Sequence, residues 1–212
     1  MLLCRPRPTR YNSGVPMSSA LDVDVADLAS REAQNRSRAA GNIYRLGCAL
    51  SLNAVRGWLG DPELAGLLGK PVVGVAVPPK QFDAIREANG SPGLADVPPD
   101  QDALEFELHF SEGVALDILT SRDPGGTGAI ARYLTRFGQG IQQVELPCGN
   151  VDRATDILRE RFGIAPVYPA ARRGADRTRI NFFLVGIPGG GKVLIELYEN
   201  PAEPADSQVN TR

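Results

Sequence analysis

One stretch of the chain matches a motif with a well-defined chemistry. Residues 186–192, Gly-Ile-Pro-Gly-Gly-Gly-Lys, fit the G-x-x-x-x-G-K spacing of the loop that cradles nucleotide phosphates. In that motif a Ser or Thr after the Lys holds magnesium, and the loop opens a helix whose amides face the phosphates. Here Val193 follows the Lys, and the next residues alternate as a strand. We therefore interpret the glycines as a tight turn between two strands rather than a nucleotide site.

A second source of chemistry is a set of acidic residues in strand-like sequence. The segment ALEFELHF, residues 103–110, alternates so that apolar residues occupy one face and Glu105, Glu107 and His109 occupy the other. If these carboxylates face a pocket, their mutual repulsion raises their pKa towards the range of a general base. The sequence leaves open the alternative that this polar face is exposed to water, as one face of an antiparallel sheet often is.

The composition limits the metals and partners that these residues could serve. His109 is the only histidine among the 212 residues, so one subunit cannot supply two histidines to a metal. The three cysteines are far apart, which suits a reducing compartment and offers no zinc site. A net charge of −2 argues against nucleic acid, and no apolar run approaches the ~20 residues of a membrane helix. We therefore expect a cytoplasmic protein with a small-molecule ligand, no nucleic acid partner and no membrane association.

The secondary structure that positions these side chains is predicted to follow one pattern twice: a strand, a helix and three more strands. In the first copy, residues 42–121, we predict a strand at 43–52 and a helix at 53–68 whose N-cap is Asn53. The Pro-containing stretch near 78–103 is interpreted as an insertion or long loop. The remaining strands of this copy are predicted at residues 70–77, 103–110 and 113–121, the last two joined by a Ser111-Glu112 turn.

The second copy, residues 140–200, repeats this order with clearer helix boundaries. Its helix, residues 150–163, has Asn150 as N-cap and Gly163 as terminator. An internal repeat of this kind indicates the architecture before any single motif does. The strands of this copy are predicted at residues 140–148, 164–170, 178–186 and 191–199.

Outside the two copies, the sequence predicts a leader, a linker and a tail. Residues 1–41 begin with a basic, Pro-containing stretch and are expected to form a flexible, partly disordered leader. A linker helix is expected within residues 122–139, and residues 201–212 are expected to fray. The predicted fold class is therefore α+β, with two βαβββ modules forming one curled mixed sheet around a pocket.

Two segments of the second copy carry a resemblance to a known family. GIQQVELPCGNVDRATDILRERFGI opens this copy and GKVLIELYE closes it. Together with the repeat, they resemble the vicinal-oxygen-chelate superfamily, which includes glyoxalase I, extradiol dioxygenases, bleomycin-resistance proteins and methylmalonyl-CoA epimerase. The epimerase is the nearest match, because its strand, linker helix and strand follow one another in the same order. The resemblance covers residues 113–199, and over residues 42–112 it rests on the repeat.

The resemblance implies a metal site whose ligands come from the first and last strands of each module. By position it assigns Asp117, where relatives carry Glu or Gln, then Gln143, where epimerases carry His, and Glu196, where relatives carry Glu. The remaining ligand, a His in relatives, falls on Arg45 in our preferred alignment and on Val72 if the module starts one strand later. Neither binds a divalent ion readily, and the three oxygen donors suit magnesium, calcium or manganese. We therefore expect no firmly bound cofactor, with a weakly held divalent metal as the alternative.

The resemblance implies two functions, and both stay open at this point. The first is an epimerase-like enzyme that abstracts a proton next to a carbonyl, with Glu196 and Asp117 as the catalytic pair. The second is a metal-free protein that binds and sequesters a small molecule; a homodimer is compatible with either. Two arginines of the basic loop 170–179 could receive a phosphate or carboxylate of an acyl-CoA, or could simply be solvated. The residues assigned to ligand binding are Arg45, Glu145, Tyr198, Arg172 and Arg173.

Overall fold

Seven strands form one curled, mixed sheet in the computed structural model, which describes residues 24–187 and 191–201 of the chain. The predicted α+β class with a curled sheet is confirmed. Along the chain the strands are β1 (Val72–Ala76), β2 (Ala103–His109), β3 (Ala115–Ser121), β4 (Gly140–Pro147), β5 (Arg172–Arg173), β6 (Arg179–Gly186) and β7 (Lys192–Glu199).

The order of the strands shows how two similar halves build the sheet. Across the sheet the order is β2-β3-β1-β4-β7-β6-β5. In one half β1 runs parallel to β3, and β3 forms an antiparallel hairpin with β2. In the other half β4 runs parallel to β7, and β7 pairs antiparallel with β6. The halves meet where β1 and β4 pair antiparallel, so both contribute residues to the same concave face.

The convex face of the sheet is covered by helices that bury two apolar clusters. One cluster lies behind β4, β6 and β7 and includes Trp58 and Phe183, whose rings meet edge to face at 6.2 Å. The other lies behind β1, β2 and β3 and includes Phe106 and Ile118. The first helix spans both clusters, because it contributes Ile43 to one and Val55 to the other. The helices are α1 (Ala33–Val55), α2 (Pro62–Leu67), α3 (Pro79–Ala88), α4 (Ala129–Phe137) and α5 (Val151–Phe162).

The strand predicted at residues 43–52 is wrong, because these residues lie inside α1. Residues 33–41 form the first turns of this helix, which continues through the segment predicted as a strand. The first strand of the first half is β1, which matches the alternative alignment rather than the preferred one. The helical period is visible in the buried positions of α1, which recur at Ala39, Ile43, Gly47, Ser51 and Val55.

The leader predicted for residues 1–41 falls partly outside the described residues, which start at position 24. From there to position 41 the chain contributes to the fold, since residues 24–27 form a helical turn and α1 begins at Ala33. Val25 and Leu28 are fully buried in the cluster behind β1, β2 and β3. The leader was predicted from the basic start of this stretch, and the apolar residues further along it were not taken into account.

Three further predictions need correction. The helix predicted at 53–68 is divided, because α1 ends at Val55 and α2 starts anew after Asp61, whose carboxylate caps it. The stretch 78–103 contains α3, a regular ten-residue helix. Residues 164–170 are not a strand. Pro166 and Pro169 have no N–H to donate there, and the next strand, β5, comprises only two residues.

The remaining elements agree with the predictions. The hairpin of β2 and β3 and the strands β4, β6 and β7 form within two residues of their predicted bounds, and the linker helix α4 lies inside the predicted segment 122–139. Asn150 caps α5 by accepting a hydrogen bond from the Arg153 amide at 2.8 Å, and Gly163 ends it at a φ of 65°. Gly186 pairs with Lys192 at the start of a β6–β7 hairpin, and a strand follows the Lys. Residues 188–190 of the glycine-rich motif lie outside the described residues.

None of the helices that the structure describes is long and apolar enough to cross a membrane.

The close approach of α1 to the sheet yields a test of the fold. An added Cβ at Gly47 would lie 2.6 Å from Val73 Cγ1, so helix or strand would have to shift. We expect Gly47→Ala to lower the free energy of unfolding by about 1–3 kcal/mol, as overpacking does. Gly41→Ala is the matched control, because a Cβ there meets nothing within 4 Å and Ala is the better helix former by about 1 kcal/mol. Urea unfolding followed by circular dichroism measures both, and equal stability of the two variants would contradict the close approach.

Candidate functional site

The concave face of the sheet encloses a cavity of about 810 Å³, a volume that suits a small-molecule ligand. Both halves line it, with β2 and β3 on one side and β4, β6 and β7 on the other. Residues from the loops 93–101 and 167–178 form its outer rim. The lining is rich in acidic residues, namely Asp100, Glu105, Glu107, Asp117, Glu145, Asp176 and Glu196.

Strand register places a row of polar side chains across the middle of the cavity floor. Glu107, Asp117, Gly74 and Gln143 are successive neighbours on β2, β3, β1 and β4. Paired residues on adjacent strands share a face of the sheet, so these side chains point to the same side. The row therefore joins a carboxylate from one half to an amide from the other.

A hydrogen-bonded link connects this row to the next one. In the second row Val72, Glu145 and Glu196 are neighbours on β1, β4 and β7. Gln143 Nε2 donates to Glu145 Oε1 at 3.0 Å and to Glu196 Oε2 at 2.7 Å. One amide thus fixes two carboxyl groups, from different strands, at the floor of the cavity.

The glycine at the centre of β1 makes room for this arrangement. An added Cβ at Gly74 would lie 2.6 Å from Gln143 Cγ and 3.1 Å from Glu145 Oε1. The side chains of β4 therefore fold over the bare backbone of β1. A larger residue at this position would push the amide and its carboxyl partners apart.

Burial raises the pKa of the three carboxyl groups on the floor. Asp117 and Glu145 are only 5% and 7% exposed. Burial, reinforced by neighbouring carboxylates, raises the pKa of Glu145 to about 8, and raises those of Asp117 and Glu196 well above their ordinary values. At neutral pH the floor therefore carries protons, and a protonated carboxyl can donate a hydrogen bond as well as accept one.

Asp117 is surrounded by other carboxyl groups. Burial raises its pKa, and the charges of Glu145, Glu105 and Glu196 add to this effect. The Oδ1 atom of Asp117 is buried and has no hydrogen-bond partner among the residues that the structure describes. An unsatisfied polar atom at this depth costs stability, and it is a position where a ligand atom would be favoured.

A second acidic group lies on the wall formed by β2. Burial, followed by the charges of Asp176 and Glu107, raises the pKa of Glu105 to about 7, although Arg122 acts in the opposite direction. Glu105 and Glu107 both line the cavity, so the inward orientation left open by the sequence holds for these two. His109 does not line it, and its Nε2 atom lies 2.9 Å from Glu107 Oε2 in an exposed position.

The arginines of the rim already have anionic partners. Arg172 forms an ion pair with Asp100, and its guanidinium lies 4.7 Å from the centre of the Tyr168 ring. Arg173 pairs with Asp96 at 3.1 Å. These arginines are therefore less available to a phosphate or carboxylate than the sequence suggests.

The structure brings together most of the residues assigned to the site from the sequence. Arg45 is an exception, since it is exposed on α1 and donates a hydrogen bond to Asn42. Its assignment depended on the wrong strand at 43–52, and the helix places it on the outer surface. Arg173 also lies outside the cavity lining. The assigned residues that line the cavity are Asp117, Gln143, Glu145, Glu196, Tyr198 and Arg172.

Sequence reasoning missed three residues of the site. Phe182 could have been found, because it pairs with Glu196 across the predicted β6–β7 hairpin and so shares its face. Gly74 could have been found once the strand at 70–77 was taken as the first of its module. Asp176 lies on a turn and has a left-handed backbone conformation, and no strand pattern indicates its position.

The residues at the family's metal-ligand positions do not fit a divalent cation. Val72, which occupies the position of one histidine, offers only hydrocarbon to the concave face. Gln143 occupies the other, and its amide N–H groups are already donated to two carboxyl groups. Within residues 24–187 and 191–201, no group of three or more His, Cys, Asp or Glu residues is arranged to hold a metal. The buried carboxyl groups of this set are instead suited to binding protons.

Comparison with known proteins adds to this description. The two halves sharing one sheet around a cavity define the glyoxalase/bleomycin-resistance fold. No protein-family model and no curated protein matches the sequence. The crystal structure of methylmalonyl-CoA epimerase from Mycobacterium tuberculosis is similar, with 30% identity, a TM-score of 0.50, and coverage of 64% of this chain and 88% of that chain. The chain therefore belongs to the vicinal-oxygen-chelate superfamily.

Two further structures share the fold at lower identity. Another methylmalonyl-CoA epimerase has 23% identity and a TM-score of 0.50, and the match covers 64% of this chain and 97% of that chain. A hypothetical protein from Bacillus halodurans C-125 has 19% identity and a TM-score of 0.50, with 64% and 99% covered. At these identities the likeness concerns the fold alone.

The raised pKa of Glu145 predicts how stability depends on pH. As pH rises above 4.5 the unfolded chain loses this proton, whereas the folded protein keeps it up to about pH 8. The free energy of unfolding should therefore fall across this window, by up to about 1.4 kcal/mol per pH unit for one group. Glu145→Gln should show a shallower fall, while Glu160→Gln, exposed on α5, should keep the original slope. Urea unfolding at several pH values measures this, and equal slopes for all three proteins would refute the buried titration.

The position of Val72 predicts where a metal site can be rebuilt. Val72→His together with Gln143→His should place two histidines beside Asp117 and Glu196, a set suited to cobalt or zinc. Titration with cobalt, followed by visible absorption, should show clearly tighter binding than in the single Gln143→His variant. The control is the pair Arg45→His plus Gln143→His, which should match the single variant because residue 45 is on the outer surface. Similar binding by the two double variants would show that Val72 does not face the site.

Proposed function

We propose that the protein is an enzyme that moves a proton on a carbon next to a carbonyl group, as an epimerase or a related isomerase does. The observation that carries the proposal is the floor of the cavity, where Asp117, Glu145 and Glu196 converge around the Gln143 amide. An enclosed volume with a few convergent polar groups of shifted pKa is the usual form of an active site.

Glu196 is the proposed base. Its carboxyl group is oriented by the Gln143 Nε2 hydrogen bond at 2.7 Å, and it lines the cavity. Burial raises the pKa of Glu196, so its ionised form is a stronger base than a solvated carboxylate. A proton next to a carbonyl is weakly acidic, and its removal needs both this basicity and fixed geometry.

Asp117 is the proposed donor to the oxygen that becomes negative. A protonated carboxyl in an apolar setting can donate a strong hydrogen bond to an enolate oxygen, and so supply stabilisation of the kind that an oxyanion hole gives. Burial and the neighbouring carboxylates raise the pKa of Asp117 well above its ordinary value, which favours the protonated form that can donate. In metal-dependent relatives a cation would polarise this oxygen, and the carboxylic acid takes that role here.

Glu105 is the proposed second acid–base group. It lies on β2, in the other half from Glu196, with β3, β1 and β4 between the two strands. A group on each side of a carbon can remove a proton from one face and return one to the other, which inverts the carbon. A pKa of about 7 suits Glu105 to either direction of transfer at neutral pH. The name of the 30% identical relative, methylmalonyl-CoA epimerase, supports this reaction class.

A second candidate function is a metal-free binding protein that sequesters a small molecule. The observation in its favour is that Val72 and Gln143 supply no nitrogen ligand at the family's metal positions. In that case the same cavity would hold a ligand and no proton would be exchanged.

Proton exchange with solvent distinguishes the two functions. The purified protein is incubated in deuterated buffer with methylmalonyl-CoA and, separately, with simple ketones that have hydrogens next to the carbonyl. We expect deuterium uptake at that carbon by NMR, slowed on the order of 10²–10⁴-fold by Glu196→Gln. Glu160→Gln, an exposed change on α5, should leave the rate unchanged. Uptake no faster than in buffer for every compound would rule out the enzyme.

A further inference from the structure

Acidic residues outnumber basic residues in the lining of the cavity. Seven carboxyl-bearing residues line it, against two arginines, Arg132 and Arg172. Arg172 is paired with Asp100 at the rim, and Arg132 donates to the backbone oxygen of Thr127. Neither arginine forms an ion pair with a carboxyl group deeper in the cavity, within the part of the chain that the structure describes.

The carboxyl group of Glu105 lacks a hydrogen-bond donor among the residues that the structure describes. Arg122 lies near, but its guanidinium donates to two backbone oxygens, those of Ala103 at 2.9 Å and Val97 at 3.3 Å. Asp176, on the turn between β5 and β6, adds a second negative charge near Glu105. The Glu105 carboxyl group therefore has acceptor atoms without a hydrogen-bond donor among the described residues, and Arg122 only partly offsets the negative charge around it.

Two further features of the cavity point to a ligand rather than to a structural role. Asp117, 5% exposed and part of the lining, has a buried Oδ1 atom with no described partner. Aromatic rings of Phe182 and Tyr198 line the cavity together with these acids. Aromatic side chains beside carboxylates form the usual environment of an organic cation, because the rings attract positive charge and shield it from water.

We infer that the substrate of this cavity is an organic cation, an amino or ammonium compound, whose positive group lies between Glu105 on β2 and Asp176 on the turn before β6, while its carbonyl group faces the floor. The position given to the substrate's carbonyl group rests on the proposed function. The positive charge of the substrate is inferred from the residues that line the cavity, and this inference applies to an enzyme and to a binding protein alike.

The same charges disfavour an anionic substrate. A carboxylate or phosphate near Glu105 would meet the negative charges of Asp176, Glu107 and, above its pKa of about 7, Glu105 itself, and juxtaposed like charges cost several kcal/mol. The rim does not compensate for this, because Arg172 and Arg173 are neutralised by Asp100 and Asp96. The substrate would thus differ in charge from the dicarboxylic thioester in the name of the 30% identical relative.

An isosteric pair of ketones tests the sign of the charge. Acetonyltrimethylammonium and 4,4-dimethyl-2-pentanone have the same shape, and only the first is charged; levulinate serves as the anion. Binding is measured by ligand-observed NMR at low ionic strength, at a pH above the Glu105 pKa of about 7. We expect the cation to bind at least about tenfold more tightly than the neutral ketone, and more weakly as salt is added. Levulinate should show no binding.

Charge-neutral variants locate the cation. Glu105→Gln and Asp176→Asn should each reduce the preference for the cation several-fold, whereas Glu160→Gln removes the same charge outside the cavity and should not. Equal binding of cation and neutral ketone, no binding of the cation, or an equal effect of Glu160→Gln would each overturn the inference. Deuterium exchange on the same ketones reports on the proposed function separately. If the protein prefers the cation but catalyses no exchange, the inference about charge holds and the proposed enzyme is refuted. If it catalyses exchange without preferring the cation, the inference about charge is refuted and the proposed enzyme is not.

Discussion

The antiparallel pairing of β1 with β4 is the contact on which the rest of the structure depends. It joins the two halves into one sheet, and it places residues from distant parts of the sequence in common rows. Gly74 lies at this junction and leaves the space into which Gln143 and Glu145 extend. The second half supplies Gln143 and the two carboxyl groups to which it donates, and the first half supplies Asp117 and the bare backbone at Gly74. The site is thus a product of the junction rather than of either module.

The helix of the second half was predicted well and the helices of the first half poorly, for a physical reason. Asn150 and Gly163 mark the ends of α5 by local hydrogen bonding and backbone conformation, which depend on few residues. The segment 43–52 has no such marker and is apolar enough for a strand or a helix, so only the four-residue spacing across all of α1 identifies it. Asp117, Gln143 and Glu196 could be assigned by strand order and parity. The role of Asp176 could not, because a turn has no period that reveals what it faces.

The floor of the cavity shows how a fold can keep its architecture while its chemistry changes. Where the resemblance implies a divalent cation held by nitrogen and oxygen ligands, this chain has hydrocarbon at Val72 and an amide that donates to carboxyl groups at Gln143. Buried carboxyl groups without a metal or an arginine hold protons, which satisfy the electrostatic demand at lower cost than unpaired charges. The stability of the protein and the protonation of its cavity are therefore linked through the same few side chains.

The contacts at the rim also have a consequence for ligand exchange. Asp96 and Asp176, from loops of different halves, share two hydrogen bonds: the Asp96 amide donates to Asp176 Oδ1 at 2.8 Å, and the Asp176 amide donates to the Asp96 carbonyl at 3.2 Å. Arg173 adds an ion pair to Asp96 in which both side chains are more than half exposed, and such pairs contribute about 1 kcal/mol or less. The entrance is therefore held by weak, water-accessible links, whereas the sheet beneath is held by strand pairing and two apolar cores. Links of this kind can open locally without global unfolding, so a small molecule can enter and leave the cavity while the sheet beneath keeps its strand pairing.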